Sequence, residues 1–161
     1  MKYYLIDASA YIYTVQNLEL TKINFFSEKT NQEAFLYLPQ FCVTEVLNAF
    51  ARFYFKEKTI QANTYTEWRN DFIKSIRNRS LFYIYDLHRY HNLNADKIYR
   101  IEQTTPLSQK EHYLTSFDIL IIAMAMELKK IHYPNPVMIL SRDGRLIRIA
   151  KLVNVDAIWL E

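Results

Sequence analysis

Four carboxylates follow or begin apolar segments of the chain, and their positions suggest that they meet: Asp7, Glu45, Asp118 and Asp143. Asp7 ends the apolar run 3–6 and Asp143 follows a second such run, as expected where buried parallel strands end. Asp118 begins a strongly apolar helical segment, and Glu45 stands in the predicted first turn of another. Carboxylates gathered at one point repel one another unless cations bind. Because all-oxygen ligation favours hard cations, we expect Mg²⁺ or Mn²⁺ at these four residues.

Each of these residues also has an ordinary structural interpretation. Asp7 is in position to cap the helix after the first strand, and Glu45 is equally typical of a surface position. Thr115 and Asp118 have the spacing of a capping box, while Asp143 and the following glycine form a common turn pair. We favour a shared site because strand ends and the starts of the following helices lie on one edge of a doubly wound fold.

Strands and helices alternate along the chain, which predicts a parallel sheet covered on both faces. The predicted strands are the apolar runs 3–7, 81–85, 137–140 and 157–160. The predicted helices cover 8–16, a segment with an apolar stripe from Val43 to Tyr54, 62–77, 87–101, 116–130 and 145–152. Residues 17–38 form a long connection with a hairpin or a short extra strand, and 103–114 form a loop. We therefore expect an α/β fold in which residues 1–161 form a single three-layer α/β/α domain with a central, mostly parallel sheet.

Composition excludes several classes of site. The chain has one glycine, so the glycine-rich loops of P-loop and dinucleotide-binding proteins are absent. It has one cysteine, which excludes an intramolecular disulfide and a thiolate pair for zinc. The net charge is +3 and the pI is 8.9. With four carboxylates drawn into one cleft, the remaining surface is more basic than this total and suits a polyanion.

The N-terminal residues lead directly into the first predicted strand and show no signal-peptide pattern. The longest apolar stretch in the C-terminal half, 119–126, is far shorter than the roughly 20 residues that span a bilayer. We therefore expect a cytoplasmic protein.

Four segments surround the carboxylates in a recognisable order. Residues 5–9 are Leu-Ile-Asp-Ala-Ser, and residues 38–47 are Leu-Pro-Gln-Phe-Cys-Val-Thr-Glu-Val-Leu. Residues 116–125 are Ser-Phe-Asp-Ile-Leu-Ile-Ile-Ala-Met-Ala, and residues 139–146 are Ile-Leu-Ser-Arg-Asp-Gly-Arg-Leu. Together they resemble the segments of PIN-domain nucleases, the family that includes the VapC-type toxins of toxin–antitoxin pairs.

The resemblance implies a PIN-like fold and an endoribonuclease that hydrolyses phosphodiester bonds of single-stranded or structured RNA with Mg²⁺ or Mn²⁺. It also implies a toxin with an antitoxin protein as partner, and a homodimer. The catalytic, metal-binding residues would be Asp7, Glu45, Asp118 and Asp143. Asp7 would be the central ligand, Asp118 and Asp143 would complete the cluster, and Glu45 would bind the metal or orient the attacking water.

Other residues near these segments have supporting roles in this interpretation. Ser9 and Ser141 would form hydrogen bonds that orient the carboxylates. Arg142 and Arg145 would bind RNA phosphates, and Arg148 is suited either to this role or to facing solvent. Some PIN proteins carry a further acidic residue after the last aspartate, and this chain has Gly-Arg-Leu there.

Two other functions stay open at the level of sequence. A catalytically silent PIN-like binding or scaffold module would have the same fold and little affinity for divalent cations. Another α/β phosphoryl-transfer domain fits less well. A haloacid-dehalogenase phosphatase needs a second aspartate at Ser9, and a response-regulator receiver needs a lysine after a late strand.

Two further features of the sequence carry weaker predictions. His88 and His91 lie one helical turn apart near Asp86 and are candidate ligands of a transition metal, without an evident fourth ligand. Cys42, between a phenylalanine and a valine, is expected to be a small buried hydrophobe.

Overall fold

The centre of the molecule is a parallel sheet of five strands. In the computed structural model, which describes residues 1–17, 33–79 and 81–160, the strands are β1 (Lys2–Ile6), β2 (Ala34–Pro39), β3 (Tyr83–Tyr85), β4 (Val137–Ser141) and β5 (Asp156–Trp159). Their order across the sheet is β3-β2-β1-β4-β5, and all four neighbouring pairs are parallel. The predicted α/β fold with a central parallel sheet is therefore confirmed.

Six α-helices accompany the strands in the described part of the chain. They are α1 (Ala8–Gln16), α2 (Gln40–Ala51), α3 (Ala62–Arg77), α4 (Arg89–Thr104), α5 (Ser116–Ile131) and α6 (Gly144–Leu152). A π-helical segment, Arg52–Lys56, continues α2 directly. The bounds of α1 and α3 agree with the prediction, whereas α4 extends to Thr104 and includes the first residues predicted as a loop. None of these described helices is long and apolar enough to cross a membrane.

The predicted connection 17–38 contains one strand of the sheet. β2 occupies Ala34–Pro39, so the short extra strand that the sequence allows is present at the end of this segment. Residues 18–32, where a hairpin is the alternative, lie outside the described residues. The predicted strand 81–85 is shorter in the structure, since only its last three residues pair with β2.

β1 lies in the middle of the sheet, and the strand order changes direction there. Leu5 is in register with Tyr37 of β2 on one side and with Ile139 of β4 on the other. The chain leads from β1 to β2 and later returns to the opposite side with β4. A crevice therefore opens beyond the carboxyl ends of β1 and β4, where Asp7 and Asp143 are the residues that precede α1 and α6.

Buried segments of two elements carry residues to this crevice. Leu5 and Ile6 at the end of β1 are 0% and 1% exposed, as expected for a central parallel strand. Seven consecutive residues of α5, from 119 to 125, are buried, so the helix is apolar on every side over about two turns. Asp7 directly follows the buried end of β1, and Asp118 directly precedes the buried segment of α5. Packing of this extent therefore fixes the positions of both residues.

Candidate metal centre

The four predicted carboxylates all line one cleft of about 900 Å³ at the carboxyl edge of the sheet. Asp7 follows β1, and Asp143 follows β4 after one intervening residue. Asp118 lies in the first turn of α5. Glu45 lies in the second turn of α2 and not the first, because this helix begins at Gln40. Strand ends and helix starts thus bring together side chains that are far apart in the sequence.

Asp7 is held by hydrogen bonds from both predicted serines. Its side chain is buried, and Oδ2 accepts a hydrogen bond from Ser141 Oγ at 2.8 Å and another from Ser9 Oγ. The two hydroxyls also accept backbone N–H bonds, Ser9 from Arg142 at 3.2 Å and Ser141 from Asp143 at 3.0 Å. The serines therefore connect the loops after β1 and β4 through one carboxylate oxygen.

The environment of Asp7 disfavours a bare negative charge. Burial raises the pKa of the Asp7 carboxyl above its ordinary value, and the charge of Asp118 acts in the same direction. The hydrogen bonds from Ser9 and Ser141 oppose this effect but do not cancel it. An ionised Asp7 is therefore stabilised by a positive charge placed in the cleft.

Glu45 shares its corner of the cleft with Asp7 and Cys42. One potential ligand atom from each of these three residues lies within 4.8 Å of the other two. Partial burial raises the pKa of Glu45, and the charges of Asp7 and Asp118 add to the shift, although a hydrogen bond with Cys42 lowers it. Glu45 thus belongs electrostatically to the same group as the two aspartates.

Cys42 is fully buried, as expected, but it is more than a small hydrophobe. Burial raises the pKa of its thiol, and the neighbouring charges of Asp7 and Glu45 raise it further. The thiol therefore stays protonated near neutral pH and donates a hydrogen bond toward Glu45. Sequence reasoning missed this contact, although the i to i+3 spacing on one helix was available as a signal.

Asp118 combines its position in the cleft with a helix cap. Its Oδ2 accepts hydrogen bonds from the Thr115 backbone N–H at 2.8 Å and from Thr115 Oγ1 at 2.6 Å. Thr115 Oγ1 in turn accepts from the Asp118 backbone N–H at 3.3 Å, which completes the capping box. Burial raises the pKa of Asp118 despite these bonds, and the charge of Asp143 contributes to the rise.

Asp143 also caps a helix, since its Oδ1 accepts a hydrogen bond from the Leu146 backbone N–H at 2.9 Å. Asp7 occupies the N-cap position of α1 but makes no capping hydrogen bond with its side chain. The capping interpretation is thus correct for Asp118 and not for the Asp7 side chain, and Asp143, for which the sequence indicated a turn, caps α6. It does not compete with a shared site, because each of these carboxylates caps its helix through one of two oxygens.

The donor set fits a hard divalent cation. The carboxylates supply oxygen ligands, and the only sulfur beside them in the described structure is a protonated thiol. Two cationic side chains on the cleft wall are engaged elsewhere. Arg52 Nε is 2.9 Å from Glu57, and the Arg142 guanidinium lies 3.7 Å from the ring centre of Tyr13. Mg²⁺ or Mn²⁺ would therefore provide the charge that these carboxylates need.

The two predicted RNA-binding arginines have different environments. Arg142 lines the cleft and lies over the rings of Tyr13 and Trp159, at 3.7 and 5.3 Å from their centres. Arg145 borders the cleft, but its side chain is only 1% exposed and forms hydrogen bonds with α4 and the loop after it. The prediction that Arg145 contacts RNA phosphates therefore disagrees with its burial. Arg148 is 40% exposed and pairs with Glu111 at 2.6 Å.

The loop before α5 contributes to the cleft, a role that sequence reasoning missed. Its lining residues, with the threonine that begins the helix cap, are Ser108, Lys110, Glu111, His112 and Thr115. The sequence indicated only a loop here, and no pattern within it distinguishes these residues. The one available signal is position, because the loop leads directly into the helix that begins with Asp118.

A second cluster lies outside the cleft and contains the two paired histidines. Glu127 Oε2 is 2.7 Å from His91 Nε2 and 3.0 Å from His88 Nε2, and it also accepts a hydrogen bond from Tyr85. His91 Nδ1 accepts from the His88 backbone N–H at 3.2 Å. The third member is thus Glu127 and not the predicted neighbour Asp86. These hydrogen bonds link β3, α4 and α5. One potential ligand atom from each of His88, His91 and Glu127 lies within 4.8 Å of the other two, so the cluster stays a candidate metal site.

Comparison with known proteins finds similar folds among solved structures. No protein-family model matches the chain, and no curated protein does. A chain of VapBC2 from Rickettsia felis, solved with a DNA fragment from their promoter, matches over 99% of both chains with a TM-score of 0.64 and 11% identity. A chain of FitAcB from Neisseria gonorrhoeae matches over 96% of this chain and 95% of its own, with a TM-score of 0.59 and 12% identity.

A third match is a chain of VapBC-1 from nontypeable Haemophilus influenzae. It covers 98% of both chains with a TM-score of 0.58 and 12% identity. At such low identity, the three matches describe the fold and not the chemistry. The described residues therefore have the PIN-like α/β fold that the sequence resemblance predicts.

Proposed function

We propose that this chain is a divalent-metal-dependent endoribonuclease that hydrolyses phosphodiester bonds of single-stranded or structured RNA. The observation that carries the proposal is the convergence of four carboxylates on one cleft, with the pKa values of Asp7, Glu45 and Asp118 raised by burial and by neighbouring negative charge. Similarity in fold to the VapBC and FitAcB chains supports the same class of activity.

In this proposal Asp7, Asp118 and Asp143 hold Mg²⁺ or Mn²⁺, with Glu45 as a further ligand or as the group that orients the attacking water. The cation would lower the pKa of that water and neutralise charge on the phosphoryl group. Ser9 and Ser141 donate hydrogen bonds to Oδ2 of Asp7. These bonds hold the carboxylate in one orientation even when no metal is bound.

Basic side chains at the rim of the cleft would position the RNA backbone. Arg142 lines the cleft and is held over two aromatic rings, so its guanidinium has a defined position there. Lys110 and His112 line the same cleft. Positive charge at the rim attracts phosphates, while the carboxylates at the centre attract the metal, which is the arrangement a nuclease needs.

The test is cleavage of a mixed-sequence RNA by the purified chain with Mg²⁺, with Mn²⁺ or with EDTA. We expect cleavage with either metal and none with EDTA. Asp118→Asn should reduce the rate at least about 100-fold, which corresponds to about 2.7 kcal/mol of lost transition-state stabilisation. Asp156→Asn is the matched control, because this aspartate is exposed on β5 and outside the cleft.

Two outcomes would contradict the proposal. Equal loss of activity in both variants would show that the assay does not report on the cleft. An absence of cleavage together with an absence of Mn²⁺ binding would favour the catalytically silent module. Mn²⁺ binding without cleavage would instead call for a wider range of RNA substrates, since a selective nuclease ignores most sequences.

The resemblance to VapC-type toxins also suggests a cellular role, a protein partner and an oligomeric state. We propose that the chain is the toxin of a toxin–antitoxin pair, that an antitoxin protein inhibits it, and that it forms a homodimer. Expression of the wild-type chain should then stop growth of a bacterial host, whereas Asp118→Asn should be tolerated at the same protein level. Sedimentation should give twice the chain mass; a monomer at micromolar concentration would exclude the dimer.

A further inference from the structure

We propose that Arg145 is a positioning residue, which together with Glu102 fixes the loop 105–115 and thereby sets the spacing between Asp118 and Asp143. The inference rests on the proposed function, because it concerns how the candidate metal centre is kept in shape. Arg145 itself touches neither metal nor RNA in this proposal. We call residues 105–115 the cleft loop.

The Arg145 guanidinium binds the start of the cleft loop through backbone carbonyls. One terminal nitrogen donates to the carbonyls of Glu102 and Thr105, both at 2.8 Å, and the other donates to the carbonyl of Pro106 at 2.9 Å. The side chain also reaches Glu102 Oε1 at 3.2 Å and Glu111 Oε2 at 3.4 Å. Arg145 therefore holds the loop at Thr105, Pro106 and Glu111.

Glu102 extends this connection to the end of the loop. Its Oε1, which accepts from Arg145, also accepts a hydrogen bond from the Leu114 backbone N–H at 3.2 Å. Leu114 immediately precedes Thr115, whose hydroxyl and backbone N–H hold the Asp118 carboxylate. A short chain of hydrogen bonds therefore leads from the first turn of α6 to the cap of α5.

The other end of this chain of contacts lies beside Asp143. Arg145 is two residues after Asp143, in the helix turn that the Asp143 carboxylate caps. Burial makes the connection strong, because the side chains of Arg145 and Glu102 are each 1% exposed and removal of either leaves a buried charge without its partner. The pair thus couples the two halves of the candidate centre.

Lysine cannot replace arginine in this role. A guanidinium offers five N–H donors in a planar fork, while an ammonium offers three from a single point. Arg145→Lys therefore retains the positive charge but cannot reach three carbonyls and two carboxylates together. Arg148→Lys is the matched control, since Arg148 binds Pro106 and Glu111 from the solvent side of the same loop.

The first readout is hydrogen exchange of backbone amides in the full chain, which does not depend on activity. We expect Arg145→Lys to speed exchange about tenfold at Leu114 and in the rest of the cleft loop, with β1 and β4 unchanged. Arg148→Lys should leave exchange near the wild-type rate. Exchange that stays at the wild-type rate in folded Arg145→Lys, or rises equally in the central strands, would overturn the proposal.

The second readout is the dissociation constant for Mn²⁺, measured by calorimetry. We expect Arg145→Lys to weaken binding about tenfold, as changes in residues that orient metal ligands commonly do, while Arg148→Lys leaves it unchanged. Wild-type affinity in Arg145→Lys would overturn the coupling to the metal centre. In the cleavage assay, Arg145→Lys should lower kcat more than it raises KM, and a change in KM alone would contradict positioning.

Two further measurements separate the role of Arg145 from a folding defect and from the proposed nuclease function. If Arg145→Lys does not fold, Glu102→Gln is measured instead. It keeps an acceptor for the Leu114 N–H but removes the buried charge, so the same faster loop exchange is expected and unchanged exchange would overturn the proposal. If the wild-type chain binds Mn²⁺ but cleaves none of a wide range of RNA substrates, the proposed nuclease function fails, while exchange and Mn²⁺ affinity still decide the role of Arg145.

Discussion

Single side chains in the cleft have a structural task and, in the proposed function, a chemical one. Asp118 and Asp143 each use one carboxylate oxygen to cap a helix, through Oδ2 and Oδ1 respectively. Asp7 uses Oδ2 to join the loops after β1 and β4 through two serines. Since a carboxylate has two oxygens with about four acceptor sites, these bonds are compatible with a cation on the same group. The capping and metal interpretations therefore describe the same residues.

Asp7 leads to a prediction about the pH dependence of stability. Because burial raises its folded-state pKa above the ordinary value of 3.8, the ionised carboxylate destabilises the metal-free fold at neutral pH. This penalty is complete above the folded-state pKa and disappears as the pH falls toward 3.8. Asp7→Asn should therefore raise the free energy of unfolding near pH 7 in EDTA, with a gain that vanishes in acid. Denaturant titrations across this pH range provide the measurement.

Asp156→Asn serves again as the control, because this exposed aspartate has no part in the cleft. It should change stability little at any pH. An Asp7→Asn variant that is less stable than wild type at neutral pH would show that the hydrogen bonds from the serines outweigh the burial of the charge.

Cys42 leads to a prediction about reactivity. Its thiol is fully buried, and burial together with two nearby carboxylates raises its pKa, so the reactive thiolate is scarce. Ellman's reagent near pH 8 should react with the native chain at least about tenfold more slowly than with the denatured chain, where one equivalent reacts. A fast native reaction would mean that the wall formed by α2 opens readily.

At the scale of elements, the start of α5 is the junction on which the candidate centre depends. This helix is buried over about two turns, so its axis cannot shift, and its first turn carries Asp118. The capping box with Thr115 orients the carboxylate and ends the cleft loop at the same point. Thr115 therefore caps the helix, ends the loop and orients the Asp118 carboxylate.

Thr115→Ala should lower the free energy of unfolding by about 1 kcal/mol, the usual effect of removing a helix N-cap. The control is Thr66→Ala in α3, where the hydroxyl is exposed and bonds only to the carbonyl of Ala62 in the same helix. That change should be close to neutral, because alanine has the higher helix propensity. Chemical denaturation measures both variants, and equal destabilisation would argue against a special role for the cap.

At the scale of the whole molecule, the sheet order brings like charges together. Two central strands end beside each other, each followed by an aspartate, and α2 and α5 add one carboxylate each. Without a metal these carboxylates repel one another, and a bound cation would reduce that repulsion. The surrounding surface is basic by comparison, since the chain as a whole carries +3. This separation of charge suits an enzyme that holds a metal and attracts a polyanion.

Mn²⁺ or Mg²⁺ should therefore raise the unfolding temperature. At 100 times its dissociation constant, a ligand of the folded state adds about 2.7 kcal/mol, and a chain of this size gains about 2–4 °C for each kcal/mol. Asp118→Asn should lose most of this gain, whereas Asp156→Asn should keep it. Differential scanning fluorimetry provides the measurement, and an equal gain in both variants would place the cation outside the cleft.

The sequence by itself determined most of the elements and the carboxylates that they carry to the edge of the sheet, but it left β2 open. Apolar runs and helical periodicity are local signals, so β1, β4, α1 and α3 follow directly from them. The same signals show that Asp7 and Asp143 follow strands and that Asp118 begins a helix. Once the sheet is parallel, these positions share an edge, because every strand end points the same way.

Only the tertiary structure decided which side chains meet within and behind that edge. Arg145 and Glu102 are 43 positions apart, and no periodicity links them, so the sequence allowed Arg145 to face RNA while packing buried it. The approach of Cys42 to Asp7 and the pairing of His91 with Glu127 were hidden for the same reason. Which side chains from different elements come into contact depends on how far each helix is rotated and shifted against the sheet. That rotation and shift result from packing of the entire core.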